Sequence, residues 1–444
     1  MTCVLLMRKA NNENGRRFAA LNGTTSSSAR ASKDEEPMSK MLVEREITEP
    51  VVLLRADGTL NPDAVGFSRT PLHDTSGIGA GRIAWGRNKR WEYWAVTTPE
   101  YIIALTVSSL DYAAVHAVMV YERSTGKVLE RDAVAPLAGT AKLPASAGAG
   151  PARATTKKLR IAIDEVPGGT QLRANASGVS FEMMAHRPAG HQALGVVVPF
   201  SKNRFQYTLK DVARPATGWL EIAGTRHEIP EGESWAVLDH GRGRWPYKMT
   251  WNWGAASGKL NGETLGLQIG GKWTDGSGST ENSLLIDGTL HKISEELDWQ
   301  YNTSDWLAPW SITGESVQLK FEPFWDRSSS TELVVFGSRG HQCFGHYSGW
   351  VQVGGAPDPD RGAARLGRGD AQQMVELKRL SGAPGIKKRG GARRVSNRTV
   401  TNVVSGHLYL RDQTRMRVDA PRAEHALSRL SRIQEAVPGP VRLE

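Results

Sequence analysis

Leu159-Arg-Ile-Ala-Ile-Asp164 places an apolar side chain at every second position, and Pro167-Gly168-Gly169 follows within a few residues. Successive side chains of an extended chain point to opposite faces, so this spacing predicts a strand with one buried face, closed by a hairpin turn. The same period recurs in both directions. Val179, Phe181 and Met183 repeat it, then Phe205, Tyr207 and Leu209, Leu265, Leu267 and Ile269, and Val317, Leu319 and Phe321. Asp57-Gly58, Ser124-Thr125-Gly126 and Asp287-Gly288 are turn sequences of the kind that separate such strands. No repeat of solenoid or propeller length recurs. A long meander without one protects its edges by closing into barrels or by packing two sheets together.

With 444 residues, 39% of them hydrophobic and 23% charged, the chain has the composition of a globular protein large enough for more than one domain. No apolar run approaches the roughly 20 residues of a membrane helix, and Arg8, Lys9 and a polar run follow Met1–Met7 where a signal peptide needs an apolar core. Cys3 and Cys343 are the two cysteines, which excludes a disulfide framework. A cytoplasmic protein is expected. The net charge of +10 gathers in the tail, around Lys387–Arg389 and Arg393–Arg394, whereas all 14 tryptophans lie between Trp85 and Trp350. Nucleic acid is therefore expected only through the basic tail, and the tryptophans mark the folded part. Residues 1–44 read as a disordered or artefactual extension. Ala145–Thr156, small and flexible, reads as a long loop. Residues 354–444 read as a basic, largely irregular tail whose abrupt onset resembles a frameshift or an unusual gene end.

The densest chemistry lies in Asp239-His-Gly-Arg-Gly-Arg-Trp-Pro-Tyr-Lys-Met-Thr-Trp-Asn-Trp-Gly254. A carboxylate in an aromatic cavity can have its pKa raised into the range of a general acid, which makes Asp239, with His240 beside it, the candidate catalytic pair. Neighbours on a strand face opposite ways, so both line one pocket only if Gly241 and Gly243 create a bulge. Trp245, Tyr247, Trp251 and Trp253 share one parity. On a single strand they would form an aromatic wall suited to flat or apolar ligands and to a developing carbocation; the alternative for each is a place in a barrel core.

Lys272, Trp273, Asp275, Glu281, Asn282 and His291 form a second polar group around the Gly276–Gly278 turn. An unpaired buried charge costs several kcal/mol, about 3–5 when one partner is removed, so Lys272 and Glu281 are expected to pair across a hairpin. His341, Cys343 and His346 resemble metal ligands, but His346 has the opposite parity and no metal is expected.

Trp91-Glu-Tyr-Trp94, Arg204-Phe-Gln-Tyr-Thr208 with Lys210, Arg214-Pro-Ala-Thr-Gly218, Arg244-Trp-Pro-Tyr247 and Trp251-Asn-Trp253 resemble the bacterial domain of unknown function 2804 family. Gly270-Gly-Lys-Trp-Thr-Asp-Gly-Ser-Gly278, Thr280-Glu-Asn282, His291-Lys-Ile-Ser294 and His341-Gln-Cys-Phe-Gly345 look like its later motifs. More distantly, Gly218–Gly224, Asp239-His240 and Trp251-Asn-Trp253 are similar to hydroxyneurosporene synthase-like proteins, which include isoprenoid hydratases and cyclisation enzymes. These resemblances imply an all-β chain of two lipocalin-like antiparallel β-barrels, over residues 45–235 and 236–353.

The expected partner is a small hydrophobic or amphipathic molecule held in an aromatic cavity by Trp245, Tyr247, Trp251, Trp253, Lys272, Trp273, Asp275, Glu281 and His291. The expected chemistry, if the site is catalytic, is cofactor-free acid-catalysed hydration, cyclisation or isomerisation. A non-catalytic lipid carrier or structural protein, and a carbohydrate-active protein with tryptophans stacked on sugars, stay open as alternatives.

Overall fold

A computed structural model describes residues 41–79, 83–333, 336–353, 363–379, 400–404 and 407–410. The chain divides into two compact units, Met1–Ala383 and Pro384–Glu444. Within the second, Val400–Val404 pairs with His407–Leu410 as a hairpin. The described residues of the first unit form strands that are antiparallel apart from the two-residue parallel pair Val51–Val52 with His73–Asp74, and one short 3-10 turn at Pro62–Ala64. No helix among the described residues is long and apolar enough to cross a membrane.

The strands of three or more residues are β1 (Lys89–Thr97), β2 (Tyr101–Ser109), β3 (Ala113–Glu122), β4 (Val128–Pro136), β5 (Ala152–Thr155), β6 (Leu159–Val166) and β7 (Gly169–Ala176). There follow β8 (Val179–His186), β9 (Leu194–Ser201), β10 (Arg204–Ile222), β11 (Thr225–Ile229), β12 (Trp235–Arg244), β13 (Lys248–Leu260) and β14 (Glu263–Gly271). The last are β15 (Asn282–Ile286), β16 (Thr289–Ile293), β17 (Asp298–Gln300), β18 (Trp310–Thr313), β19 (Val317–Leu333), β20 (Phe336–Gln352) and β21 (Ala363–Arg379). Two large sheets result.

The first is 14-stranded and runs in the order β4-β3-β2-β1-β12-β10-β8-β7-β6-β5, with β9 and β11 also paired to β10 and the two-residue strands Ala141–Lys142 beside β5 and Phe67–Ser68 beside β9. Its alternating apolar positions meet in one core that draws on nearly the whole sheet, among them Trp94, Ile103, Val118, Ile161, Phe181, Tyr207, Leu220 and Leu238. A sheet whose one face converges in this way is curled into a barrel-like wall. The curl has a corner in β10, where the register shifts between Asp211 and Arg214 and Ala213 sits at φ 56°. The Ala213 amide that the corner frees donates to Ser257 Oγ at 2.9 Å, and buried Arg214 donates to Asp211 and, tying the corner to β8, to the Ala185 and His186 carbonyls.

The second sheet is 9-stranded, β16-β15-β14-β13-β21-β20-β19-β18-β17. Ala256, Leu267, Leu284, Ile293, Trp310, Leu319, Phe321, Cys343 and Tyr347 fill its interior. The odd-numbered members expected to be buried at Val179–Met183, Phe205–Leu209, Leu265–Ile269 and Val317–Phe321 are buried in every case. The positions between them are partly or fully exposed in the first and last stretches but buried too in Phe205–Leu209 and Leu265–Ile269, which have no solvated face. All-β architecture with two curled antiparallel sheets is thereby established.

Four boundaries differ from the sequence reading. β12 pairs with β1 and β10, so the change of sheet falls after Arg244 rather than at residue 235. β5 lies within the stretch expected to be loop and pairs with β6; Ala152 and Ala154 alternate with Arg153 and Thr155 and enter the core, a period carried by methyl groups alone. β21 occupies the stretch expected to be irregular tail and supplies the ladder for both β13 and β20. Residues 1–40 lie outside the described residues, but Met41–Glu44 belong to the fold. Leu42 N–H donates to the Ser294 carbonyl at 2.7 Å, and the Glu44 carboxylate is buried against Lys292 at 2.6 Å and the Thr280 amide at 2.8 Å.

A third cluster lies between the two sheets and places the site. Trp91, Tyr93, Ile102, Met119, Val196 and Val237 from the outer face of the first sheet meet Trp251, Trp253, Ala255, Leu285 and Phe344 from the second. A chain ending at residue 353 would leave β13 and β20 without their shared neighbour. We expect it to be insoluble or to melt without cooperativity, whereas a chain ending at residue 383 melts as one transition by circular dichroism.

Candidate functional site

The faces that meet between the sheets enclose a cleft lined by five tryptophans, Trp91, Trp245, Trp251, Trp253 and Trp273, together with Gln206, Thr208, Lys210, Asp239, Met249 and Glu281. Strand parity selects them. In β10, Phe205, Tyr207 and Leu209 turn into the first barrel, which leaves Gln206, Thr208 and Lys210 facing outward. Lys210 and Asp239 are cross-strand partners, as are Trp91 and Gly241. Gly241 is needed there because any Cβ would run into the Trp91 indole. Trp273 and Glu281 come from the segment joining β14 to β15, and Met249 and Trp273 are the half-buried members of this otherwise buried lining. The void is about 40 Å³, room for a few waters at most.

The N–H groups of Trp91, Trp245, Trp253 and Trp273 are occupied. Trp91 Nε1 donates to Asp239 at 3.2 Å, Trp253 to Gln268 at 3.0 Å, Trp273 to Glu281 at 2.6 Å, and Trp245 to Gln206. These bonds fix ring orientation, and Trp245 packs edge-on against Trp91 and Trp251, with centroids 5.1 Å and 5.4 Å away.

Lys210 is the hub of the cleft. Its ammonium donates to Asp239 at 2.8 Å, lies 3.3 Å from Glu281 Oε2, and stands 4.8 Å over the Trp253 ring. Burial would neutralise the amine, but the two carboxylates outweigh it and raise its pKa above the ordinary lysine value. The two acids respond in opposite directions. Burial works against both anions, yet the Lys210 charge and the bonds from Lys210 and Trp91 hold Asp239 below the usual carboxylate range. For Glu281 burial dominates, Asp239 adds like-charge repulsion, and its carboxyl is pushed up to about 7.

Asp239 and His240 are not brought together. The ladder runs through them without a bulge, so Asp239 faces the cleft and His240 the first barrel's interior. There His240 Nδ1 lies 3.5 Å from Glu92, which also meets Arg242 at 3.3 Å, and burial lowers the imidazole to about 4. The general-acid role expected of Asp239 is at odds with its lowered pKa; its ion pair with Lys210 is the cause. Trp245, Trp251 and Trp253 share the wall as expected, but Tyr247 does not. β12 ends at Arg244 and β13 begins at Lys248, so the parity rule fails across Pro246, and Tyr247 is 47% exposed with Arg204 over its ring at 4.7 Å.

Of the second polar group, Trp273 and Glu281 reach the cleft. Lys272 is exposed in the turn and leaves Glu281 to Lys210, which corrects the expected Lys272–Glu281 pair. Asp275, also exposed, accepts from the Lys272 amide at 2.7 Å. Asn282 accepts from the Gly270 amide and donates to the Glu295 carbonyl, both at 2.7 Å, and is structural. His291 is half-buried on β16, outside the cleft lining. His341 hydrogen-bonds Asp326 at 2.9 Å and stacks on Trp306 at 4.2 Å. Among the described residues no group of three His, Cys, Asp or Glu side chains is placed to hold a metal. Sequence reasoning missed Trp91, Gln206, Thr208, Met249 and above all Lys210, whose polar parity reads as a solvated strand face.

Comparison with known proteins gives a match between residues 44–356 and the model of a family described as a domain of unknown function (DUF2804). No curated protein matches. Among solved structures the chain is similar to kievitone hydratase from Nectria haematococca, with a TM-score of 0.41 and 10% identity over 77% of this chain and 99% of that one. A putative AttH from Nitrosomonas europaea gives a TM-score of 0.38 and 12% identity over 67% and 93%.

Replacing Lys210 by Met strands a buried Asp239 carboxylate, and urea unfolding is expected to show a loss of about 3–5 kcal/mol. The double variant Lys210→Met/Asp239→Asn recovers most of it. Glu281 makes a pH prediction of definite sign. The unfolded chain releases this proton at the ordinary carboxylate pKa, and the folded protein holds it to about 7. Across that window the native state binds more protons, so its stability falls as pH rises. In Glu281→Gln the fall between pH 5 and pH 7.5, read from urea midpoints, should be smaller than in the wild type.

Proposed function

We propose, for a chain that belongs to the DUF2804 family, that the cleft between the sheets binds a small hydrophobic or amphipathic molecule and protonates it without a cofactor. The carrying observation is the pair of unlike carboxyls on one lysine: Asp239 ionised beside Lys210, and Glu281 protonated up to about pH 7. Two titratable groups pushed apart in this way divide the roles of acid and counter-charge. Glu281 therefore takes the acid role in this reading, and Asp239 keeps Lys210 charged.

The surroundings fit an apolar ligand carrying one polar group. The indole N–H groups of Trp91, Trp245, Trp253 and Trp273 are bonded within the wall, so these rings offer their carbon surfaces. Polar groups gather at Lys210, Glu281, Gln206 and Thr208. A proton delivered by Glu281 to an alkene, enol or ether oxygen would develop positive charge against those rings, where cation–π attraction favours it. Capture by water gives hydration, capture by the ligand's own π-bond gives cyclisation, and loss of another proton gives isomerisation. Admission of such a ligand into so narrow a void requires Met249 and Trp273, which stand at its solvent side, to swing outward.

Native mass spectrometry of freshly purified protein is expected to show a co-purified apolar molecule, and turnover of that molecule should decline as pH rises through about 7. Glu281→Gln should retain it while losing at least about 100-fold in kcat, the usual scale of general-acid catalysis. An oligosaccharide in the cleft, or an unimpaired Glu281→Gln variant, overturns the reading; a bound lipid without turnover reduces the protein to a carrier.

A further inference from the structure

The outer face of the second barrel carries a feature that the cleft does not use. A groove of about 740 Å³ lies over β17–β20, lined by Gln300, Tyr301, Asn302, Ser311, Gln318 and Trp350 among others. Its floor is a cross-strand row, Gln300 opposite Ser311, Ser311 opposite Lys320, and Lys320 opposite Ser348. The side chains of that row point away from the core that Trp299, Trp310, Leu319 and Tyr347 fill.

Two observations mark this groove as built for a ligand. The first is its charge. Exposed strand faces ordinarily carry charged residues, which keep them solvated and guard against pairing with other chains. Here Lys320 is the charged residue in the lining, and its ammonium is already held by Glu322 at 2.9 Å. Amides and hydroxyls supply the remaining polarity, which favours no ion of either sign. The second is the way Trp350 is aimed. The ladder between β20 and β21 shifts register between Tyr347 and Gly349, and Gly349 takes φ 133°. A Cβ at Gly349 would strike the Gln318 backbone, so glycine is required where β19 and β20 approach. Across the β19–β20 ladder, unbroken from Val317 to Pro323, Trp350 lies directly opposite Gln318 and shares the outward parity of Ser348. Trp350 is then fixed by a hydrogen bond from its Nε1 to Gln318 Oε1 at 2.9 Å, and it stays half-buried at the groove.

A planar indole held rigid beside neutral donors and acceptors has one matching ligand chemistry. A pyranose offers a ring face of C–H groups to the aromatic plane and an equatorial girdle of hydroxyls to amides and hydroxyls. We infer that the groove over β17–β20 is a second binding site, separate from the cleft, and that it takes a neutral oligosaccharide.

The test uses the full chain on an array of neutral hexose and N-acetylhexosamine oligosaccharides with sulfated and sialylated glycans alongside, followed by titration calorimetry of the glycan retained best. Neutral glycans are expected to be retained and charged ones not. Trp350→Ala should weaken binding by about tenfold or more, the scale of a lost aromatic contact, Trp350→Phe should restore a large part, and Glu281→Gln should bind like the wild type. Absence of any retained neutral glycan, preference for charged ones, or undiminished binding by Trp350→Ala overturns the inference. Loss of binding in Glu281→Gln would move the saccharide to the cleft and overturn it equally.

Discussion

The structure depends on strands that are buried on both faces. β1, β10 and β12 turn one set of side chains into the first barrel and the other against the second, so Trp94, Tyr207 and Leu238 belong to one core and Trp91, Tyr93 and Val237 to another. Antiparallel sheets commonly leave one face to water; here neither face meets it along β12, along β10 from Phe205 to Arg214, or along β1 from Trp91 to Thr97. Every polar side chain they carry must consequently find a partner inside the protein. Glu92 meets Arg242 on the barrel side, and Lys210 meets Asp239 and Glu281 on the other.

That demand gives the cleft its electrostatics. One buried cation can neutralise one anion, and a second carboxyl added to the pair is left to contend with burial and with its neighbour's charge. Asp239 shares a ladder rung with Lys210 and wins the proton-free state. Glu281 arrives from the β14–β15 connection, 3.3 Å from the same ammonium, and keeps its proton close to neutrality. The asymmetry is a product of geometry, since nothing in the chemistry of Asp and Glu would separate them so far.

Much of this was legible in the sequence, and the failures share a cause. Alternation is a local property, so Leu159–Ile163 announced its strand and its one buried face, whereas Phe205–Leu209 announced its strand but not the burial of Gln206 and Thr208 on the other face. The tryptophans at 245, 251 and 253 announced an aromatic wall. Tyr247 was misplaced because parity counts only within one strand, and Pro246 separates two. Lys272 looked like the partner of Glu281 because it is close in sequence, whereas Lys210 reaches Glu281 across two different sheets. A shared pocket for His240 and Asp239 depended on a bulge at Gly241 and Gly243, and the ladder runs through both without one. β21 had no apolar period to betray it, because its place is documented by backbone pairing with β13 and β20.

The position of β21 in the second sheet bears on how the protein is made. It lies between β13 and β20 in space, yet it is the last strand of that sheet in sequence. During synthesis β13 to β20 leave the ribosome with the seam between β13 and β20 open and two rows of backbone donors and acceptors unpaired. Non-local strand pairing of this kind raises contact order and slows folding, and open edges invite association with other chains. The second sheet can therefore be completed only after translation has passed Arg379.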